Sequence, residues 1–488
     1  MPFRARTPTL YRSLQTLFNT HHSLNFSSSL PLKVSRHLVH DCDCDGFLPW
    51  LERKAGSTIS SSLSIGKSSY GRSLFASKTI QTGDCILKVP YNVQITADNL
   101  PPEITSLISE EVGYIAKLAI VILIEKKLGQ GSDWDPYISC LPQPRDVHNT
   151  IFWNENELEM IRQSSVYQET INQKSQIEKD FLAVRPVFEC LHQSFGVITY
   201  KDFMHACTQG LDKPHLLLSC IHCVNSFLVL FDNFNVKSPV GSRAWGSTKG
   251  LSLIPFADFF NHDGVSESIV MSDDDKQCSE VIADRDYAPG EQVLIRYGKF
   301  SNATLILDFG FTVPYNTYDQ VQFQFDIPKH DPLHGMKLEL LQRYFVLPTE
   351  DVKSLEHSVN SFTIKEVKSA RGKGKGIPQS LRAFARVLSC TTPQELNDLV
   401  NEAAHADGRL ARRPFQDINR EIQAHLMLSS LFARLIEERN AAILSLDSSN
   451  SPSSCERLAV RRSMARDLLV GEIRVLKSAS AWLENYCD

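Results

Sequence analysis

Leu253-Ile-Pro-Phe-Ala-Asp-Phe-Phe-Asn-His-Asp263 is the stretch on which the reading of this chain turns. It gathers Asp258, Asn261 and His262 and delivers them on an apolar run, which points to a partly buried polar cluster. Buried polar groups need partners. Three readings fit the residues. Asp258, His262 and Asp263 could hold a metal, because residues four apart share a helix face, although no further ligand set stands out. The cluster could cap a turn. Or the stretch is a ligand-binding loop, in which Asn reads a donor–acceptor edge such as adenine and Asp accepts from a cation or an amine. Composition alone does not select among them.

Outward from this stretch the chain alternates between β and helical patterns. Val281 to Asp286 leads through Ala288-Pro-Gly-Glu291 into Gln292 to Tyr297. Far upstream, Ser73 to Ile80 leads through Gln81-Thr-Gly-Asp84 into Cys85 to Val89. Both read as strand, Gly-acidic turn, strand, so two hairpins are expected in one sheet assembled from distant pieces of chain. Residues 103–235 between them read as helix, with Ile115, Leu118 and Ile122, then Phe181, Val184 and Val187, at helical spacing. The expected organisation is α+β: an N-terminal β part over 46–100, a helical insert over 101–238, a second β part over 239–325 and an all-α domain over 326–488. Lys365 to Lys375 is locally basic and reads as a solvated loop.

The bulk numbers narrow the classes. The chain has 488 residues, 42% of them hydrophobic, with a net charge of −5. That balance gives no whole-chain pull toward nucleic acid or an anionic membrane. The most apolar helix candidate, Ile115 to Ile124, is broken by Lys117 and ends at Glu125, so it reads as a core helix rather than a membrane span. Twelve cysteines show no framework spacing and read as mostly reduced. Cys220-x-x-Cys223 lacks the second ligand pair a zinc site needs, and it sits in an apolar helix pattern, Leu216 to Phe231. Cys42 and Cys44 are read the same way, and no metal is expected. Residues 1–40 carry Arg4, Arg6, Arg12, Lys33 and Arg36 and no acidic residue, with serines at Ser27 to Ser29. Such a composition is that of an organelle leader. Leu10, Leu14, Leu17 and Phe18 share one helical face, which favours mitochondrion over chloroplast. A disordered cytosolic tail is the alternative for residues 1–45.

The order of motifs selects among the readings of the central stretch. Ser242-Arg-Ala-Trp245 precedes it. Pro289-Gly-Glu-Gln-Val-Leu-Ile-Arg-Tyr-Gly298, Ser301-Asn302 and Asp308-Phe-Gly-Phe311 follow. This order resembles the SET-domain methyltransferases, in particular the Rubisco large-subunit methyltransferase type of plant organelles, whose SET domain is split by a helical insert. Tyr70-Gly-Arg-Ser-Leu-Phe-Ala76 looks like the first SET motif. Ser132-Asp-Trp-Asp-Pro-Tyr137, Leu141-Pro142 and Trp153 are similar to the insert, and Ile377-Pro-Gln-Ser-Leu381 looks like the start of the substrate-binding domain. The resemblance covers about residues 46–488.

What the resemblance implies is an S-adenosyl-L-methionine (AdoMet)-dependent protein-lysine N-methyltransferase acting on a non-histone, organellar protein. By the same resemblance, Tyr297 is the catalytic tyrosine. Gly71, Arg72, Arg243, Asn261 and His262 would meet AdoMet together with Tyr297. Asp258 and Phe309 would face the protein substrate. Tyr70 stands where close relatives have Glu, Phe309 where several have a second active-site tyrosine, and no tyrosine lies between Asp263 and Asp286. These departures keep two alternatives open: a histidine target, and a catalytically silent scaffold.

Overall fold

The computed structural model describes residues 46–68, 71–211, 245–247, 250–345, 360–369, 374–448 and 456–487, with the backbone of Val39–His40. Tyr70, Arg243, both cysteine pairs, the Leu216 to Phe231 segment and the leader up to residue 38 lie outside the described residues. The strands in chain order are β1 (Val39–His40), β2 (Leu63–Ser68), β3 (Gly71–Ala76), β4 (Cys85–Pro90), β5 (Ile95–Thr96), β6 (Trp245–Ser247), β7 (Gly250–Leu253), β8 (Asn261–His262), β9 (Val270–Asp273), β10 (Cys278–Ile282), β11 (Gln292–Ile295), β12 (Gln320–Gln324) and β13 (Ser361–Lys365).

Two turns with the same chemistry organise the β structure. Gln81-Thr-Gly-Asp84 closes through Asp84 N to Gln81 O at 3.1 Å, and Ala288-Pro-Gly-Glu291 through Glu291 N to Ala288 O at 3.0 Å. In each, the acidic side chain also accepts from the first amide, Gln81 N to Asp84 Oδ2 at 2.8 Å and Ala288 N to Glu291 Oε2 at 3.1 Å. Gly83 and Gly290 take φ of +90° and +82°, the left-handed third position that a type II turn reserves for glycine.

These turns do not close hairpins, as the sequence pattern led us to expect. β3 and β4 flank the first turn but lie in different sheets, and β10 and β11 flank the second in the same way. Each turn is a corner, and the strands pair across the two halves of the chain. β3 pairs with β11, Leu74 opposite Val293, and β4 pairs with β10, from Pro90 opposite Cys278 to Cys85 opposite Ile282. The corners bond to each other through Ile80 N to Tyr287 O at 3.0 Å, Gly83 N to Ala283 O at 2.9 Å and Thr82 Oγ1 to Asp286 Oδ1 at 2.8 Å. A turn is encoded locally, whereas a strand's partner is not. The true hairpin is β2–β3, in register from Leu63 opposite Ala76 to Ser68 opposite Gly71, and β1 pairs outside it, so paired backbone starts ahead of Phe47.

The sheets run β1-β2-β3-β11-β8, β4-β10-β9 and β5-β7-β6. Buried polar side chains pin them across the two halves. Gln292 Nε2 donates to Ser73 Oγ at 2.7 Å, Gln94 Nε2 to Ser279 Oγ at 3.0 Å, and Ser252 Oγ to Gln94 Oε1 at 2.9 Å. Paired in this way, such groups lose little on burial and fix one register.

The insert is not a separate body. α1 (Phe47–Ala55) precedes the first hairpin, and the insert's helices include α2 (Tyr114–Leu128), α3 (Asp135–Ile138), α4 (Ser165–Ala183), α5 (Arg185–Phe195) and α6 (Tyr200–Leu211). The middle of α2, Leu118 to Leu123, is apolar on all sides and buried accordingly. Leu118, Ile122 and Phe203 share one core with Leu74, Val89, Val281 and Ile295 of the strands. Among the described residues, no helix is long and apolar enough to cross a membrane.

The C-terminal domain holds α7 (His334–Phe345), α8 (Gln379–Ser389), α9 (Pro393–His405), α10 (Ile418–Ser448) and α11 (Glu456–Cys487) around a second core. It is helical, as expected, with one strand the periodicity did not suggest. β13 pairs with β12, Phe362 opposite Phe323, because Phe362 and Ile364 alternate inward. Lys365 therefore ends a strand rather than starting a loop. α11 joins the parts. Arg461 pairs with Glu157 of the insert at 2.6 Å, and Asp467 accepts from Thr312 at 2.9 Å. Glu472 binds Arg439 of α10 at 2.6 Å and Ser164, the cap of α4, at 2.5 Å. Trp153, Leu158 and Ile161 pack on Met464, Leu468 and Leu469 along the same seam.

The Arg439–Glu472 pair is buried. Truncating one partner leaves a bare charge in low dielectric, which costs about 3–5 kcal/mol, whereas replacing both by apolar residues costs far less. Glu472→Ala should therefore lose about that much in urea unfolding, and the double variant Arg439→Met, Glu472→Met should recover most of it. A second buried group responds to pH. His425 lies against Trp482 and, edge-on at 4.4 Å, Tyr486. Burial, aided by Arg386 and Arg382 against the pull of Glu421, pushes its pKa down to about 4. The unfolded imidazole takes its proton near pH 6.5, so stability present above about 6.5 is lost as pH falls toward 4. Urea unfolding across that window should show a shallower decline for His425→Leu than for the wild type.

Candidate functional site

β7 leads into Ile254-Pro255-Phe256, and there the backbone is strained. Phe256 takes φ 73° and ψ −45°, a region that bulky residues avoid and that persists only where packing enforces it. Its fully buried ring stacks on Phe47 at 6.4 Å and meets Phe259 edge-on. A single 3₁₀ turn, Ala257–Phe259, follows, and then β8. Asp258 and His262 thus lie on a turn and a strand, not on one helix face, which removes the geometric basis of the metal reading. Among the described residues no group of three His, Cys, Asp or Glu is placed to hold a metal.

β8 runs parallel to β11, Asn261 opposite Leu294 and His262 opposite Ile295, and Asp263 N continues the ladder to Ile295 O at 2.9 Å. β11 then delivers Tyr297. Its backbone N–H donates to His262 Nδ1 at 3.1 Å and its hydroxyl donates to Phe260 O at 2.7 Å. The first bond requires a lone pair on Nδ1, so neutral His262 carries its proton on Nε2. Tyr297 is 4% exposed, and its ring meets His262 at 5.0 Å, Phe309 at 5.4 Å and Phe311 at 6.1 Å. The result is a phenol fixed at both ends within an aromatic wall.

The start of β3 closes this arrangement from the other half of the chain. Gly71 has φ +90°. Arg72 O accepts from Asn261 Nδ2 at 3.4 Å, its guanidinium donates to Cys140 O at 2.7 Å, and it lies over the Phe259 ring at 5.6 Å. The expected residues Gly71, Arg72, Asn261, His262, Tyr297 and Phe309 therefore converge on one place. Asp258, by contrast, is held by the insert: Tyr137, fully buried on α3, donates its hydroxyl to Asp258 Oδ2.

Several residues of the site escaped sequence reasoning. Tyr137 lay within a quoted motif, yet nothing local links it to a carboxylate 121 residues away. Asn149 is another. Leu305–Phe309 forms a π-helical turn, and Asn149 Nδ2 caps its end at Asp308 O (2.7 Å) and Leu307 O (3.3 Å). π-turns are rare and concentrate at functional sites. Gly310 ends the turn at φ +73°, and a Cβ there would lie 2.7 Å from Asn149 N. Gly310→Ala should lose about 2–4 kcal/mol, from backbone strain plus the forced shift of Asn149, measured by urea unfolding. Because Phe309 and Phe311 flank it, near-ultraviolet circular dichroism of the aromatic wall should change as well.

With this geometry established, known proteins can be compared. Residues 71–298 match the SET domain family and residues 328–476 match the family described as Rubisco LSMT substrate-binding. Actin-histidine N-methyltransferase of Homo sapiens is 25% identical over 429 residues, 84% of this chain and 63% of that protein, and the Mus musculus protein matches to the same extent. The chain thus spans less than two thirds of the length of these relatives. The structure of Rubisco LSMT bound to sinefungin and monomethyllysine superposes with a TM-score of 0.63 at 19% identity, covering 91% of this chain and 92% of that one. The structure of Rubisco LSMT bound to AdoMet gives 0.60 at 18%, with the same coverage. The chain therefore carries a split SET domain joined to a Rubisco LSMT substrate-binding domain.

Proposed function

We propose that this protein transfers a methyl group from AdoMet to a side-chain nitrogen of another protein. The observation that carries the reading is the doubly fixed Tyr297, walled by His262, Phe309 and Phe311 beside the Gly71–Arg72 edge. When bound, AdoMet supplies an electrophilic methyl on a sulfonium. The donor set fits such a group. Asn261 offers an amide suited to an adenine edge, and the backbone of β3 and β8 offers polar contacts. The Tyr297 hydroxyl donates its hydrogen bond to Phe260 O at 2.7 Å, so its oxygen presents lone pairs that can accept an N–H of an amine target or meet the electron-poor methyl of the sulfonium. The aromatic wall excludes water, which disfavours a charged nucleophile. Positioning two reactants in this way can remove about 7–11 kcal/mol of the barrier.

A histidine imidazole is the first reading of the target. It is the residue type named for the curated relatives, and it is largely neutral at pH 7, unlike a lysine amine near pKa 10.4. Phe309 supports it, since it offers a flat apolar face and no hydroxyl to an amine. Lysine, the target expected from the sequence, is the second reading. It is supported by the lysine and monomethyllysine bound in Rubisco LSMT. The organellar setting is likewise a proposal.

The test uses labelled AdoMet with purified actin and with cytosolic, mitochondrial and plastid extracts, followed by peptide mapping. Tyr297→Phe should lower labelling about 100-fold, the scale for removing one preorganised polar group from a transition state, while AdoMet binding by calorimetry changes little. Mapping decides between imidazole and amine. AdoMet binding without labelling in any extract would leave the silent scaffold as the correct account.

A further inference from the structure

Asn149 opens the 3₁₀ turn Thr150–Phe152, whose last amide donates to Asn149 O at 3.0 Å. An asparagine in that place ordinarily turns its side chain onto an amide of its own turn. Asn149 makes no such bond. It is 2% exposed, and its side chain instead reaches Asp308 O at 2.7 Å and Leu307 O at 3.3 Å, 159 and 158 residues along the chain. Gly310 is fitted to the same contact, because a Cβ there would lie 2.9 Å from Asn149 Oδ1.

Each end of this contact leads elsewhere. Toward the site, Leu307 and Asp308 are the residues of the π-helical turn just before Phe309, whose ring lies 5.4 Å from Tyr297 and 5.6 Å from Phe300. The cap therefore fixes the backbone from which Phe309 projects. Away from the site, α11 clasps the segment that carries Asn149. Arg457 donates to Val147 O at 3.4 Å and Arg461 to Phe152 O at 3.2 Å. Arg461 also pairs with Glu157 and lies over the Trp153 ring at 5.8 Å, and Trp153 Nε1 returns to His148 O at 2.8 Å. From α4, Thr170 meets Thr150 at 2.6 Å. Contacts thus run unbroken from α11 through Asn149 and Phe309 to Tyr297.

We infer that Asn149 is a positioning residue for methyl transfer, which holds Phe309 against Tyr297 and ties that placement to α11 of the C-terminal domain. It acts through Phe309, the face against which the acceptor nitrogen would lie. The inference rests on the methyltransferase reading and concerns the geometry of the same site. A misplacement of about 1 Å, begun far from the reacting atoms, can cost about 100-fold in rate, so the loss of one amide cap is enough to register.

The experiment measures initial labelling rates with saturating labelled AdoMet and a concentrated extract that the wild type labels, below the melting midpoint of every variant. Asn149→Ala should lower the rate about ten-fold. Its Kd for AdoMet, read by calorimetry, should match that of the wild type, a loss of turnover rather than of donor binding. Phe309→Ala removes a wall and no reacting group, so its own labelling stays measurable. In that background no ring remains to be placed, and Asn149→Ala should cost less than about two-fold, since residues that act as a unit are not additive. A merely structural role would multiply the two losses instead. Arg461→Met combined with Glu157→Gln loosens α11, while Gln keeps the capping box with Asn154. This pair should lower the rate about three-fold and likewise lose its effect in the Phe309→Ala background. Should Asn149→Ala fail to fold, the pair carries the cycle. Unchanged rates, losses that multiply with that of Phe309→Ala, or a weakened affinity for AdoMet each overturn the inference and leave the enzyme reading intact. A wild type that binds AdoMet yet labels nothing overturns the methyltransferase reading and this inference with it.

Discussion

The site depends on one constraint, the antiparallel pairing of β3 with β11. Gln292 donates to Ser73 across a sequence separation of 219. That pairing sets the register of β11, and β11 in turn fixes β8 in parallel beside it. From this three-strand alignment follow the meeting of Asn261 with Arg72 and of His262 with Tyr297. A slip by one residue would turn every side chain of β11 to the opposite face. The buried Gln292–Ser73 and Gln94–Ser279 contacts guard against such a slip, because an out-of-register sheet would strand them without partners.

The helical parts act on the site as buttresses. Tyr137 holds Asp258, Cys140 O holds Arg72, and Asn149 caps the π-helical turn that ends at Phe309. α11 does the same at longer range. It is tied to the insert by Glu157 and Ser164, and to the segment after the aromatic wall by Thr312 and Asn316. A site precise enough for chemistry would need such support, since side chains on unsupported loops are held less exactly.

Legibility in the sequence followed the range of the interaction. The two Gly-acidic turns could be read because their chemistry lies within four residues, and Gly83 and Gly290 adopt the conformation their neighbours imply. The helical character of the insert could be read from apolar spacing, as at Ile115, Leu118 and Ile122 in α2, and that of the C-terminal domain from its pattern. The convergence of Gly71, Arg72, Asn261, His262 and Tyr297 was legible only through motif order, because no local pattern says that β3 meets β11. What stayed hidden was long-range and polar: Tyr137 on Asp258, Asn149 on Asp308 O, and the use of the turns as corners between sheets. β13 was missed because one alternation of Phe362 and Ile364 is too short to stand out among helices.

The split of the sheet also orders the protein's birth. β2 and β3 leave the ribosome early and form a hairpin with nothing to close its inner edge, while the whole insert is made before β8 and β11 appear. An exposed edge strand is an aggregation hazard during that interval. Closing the long loop is nonetheless cheap in entropy, since doubling its length costs only about 0.6 kcal/mol more. Loop-closure entropy therefore sets little limit on the length of the insert, provided that the residues near Tyr137 and Asn149 still reach the sheet. The cost of the split therefore lies in the time an edge stays open during folding rather than in the stability of the finished fold.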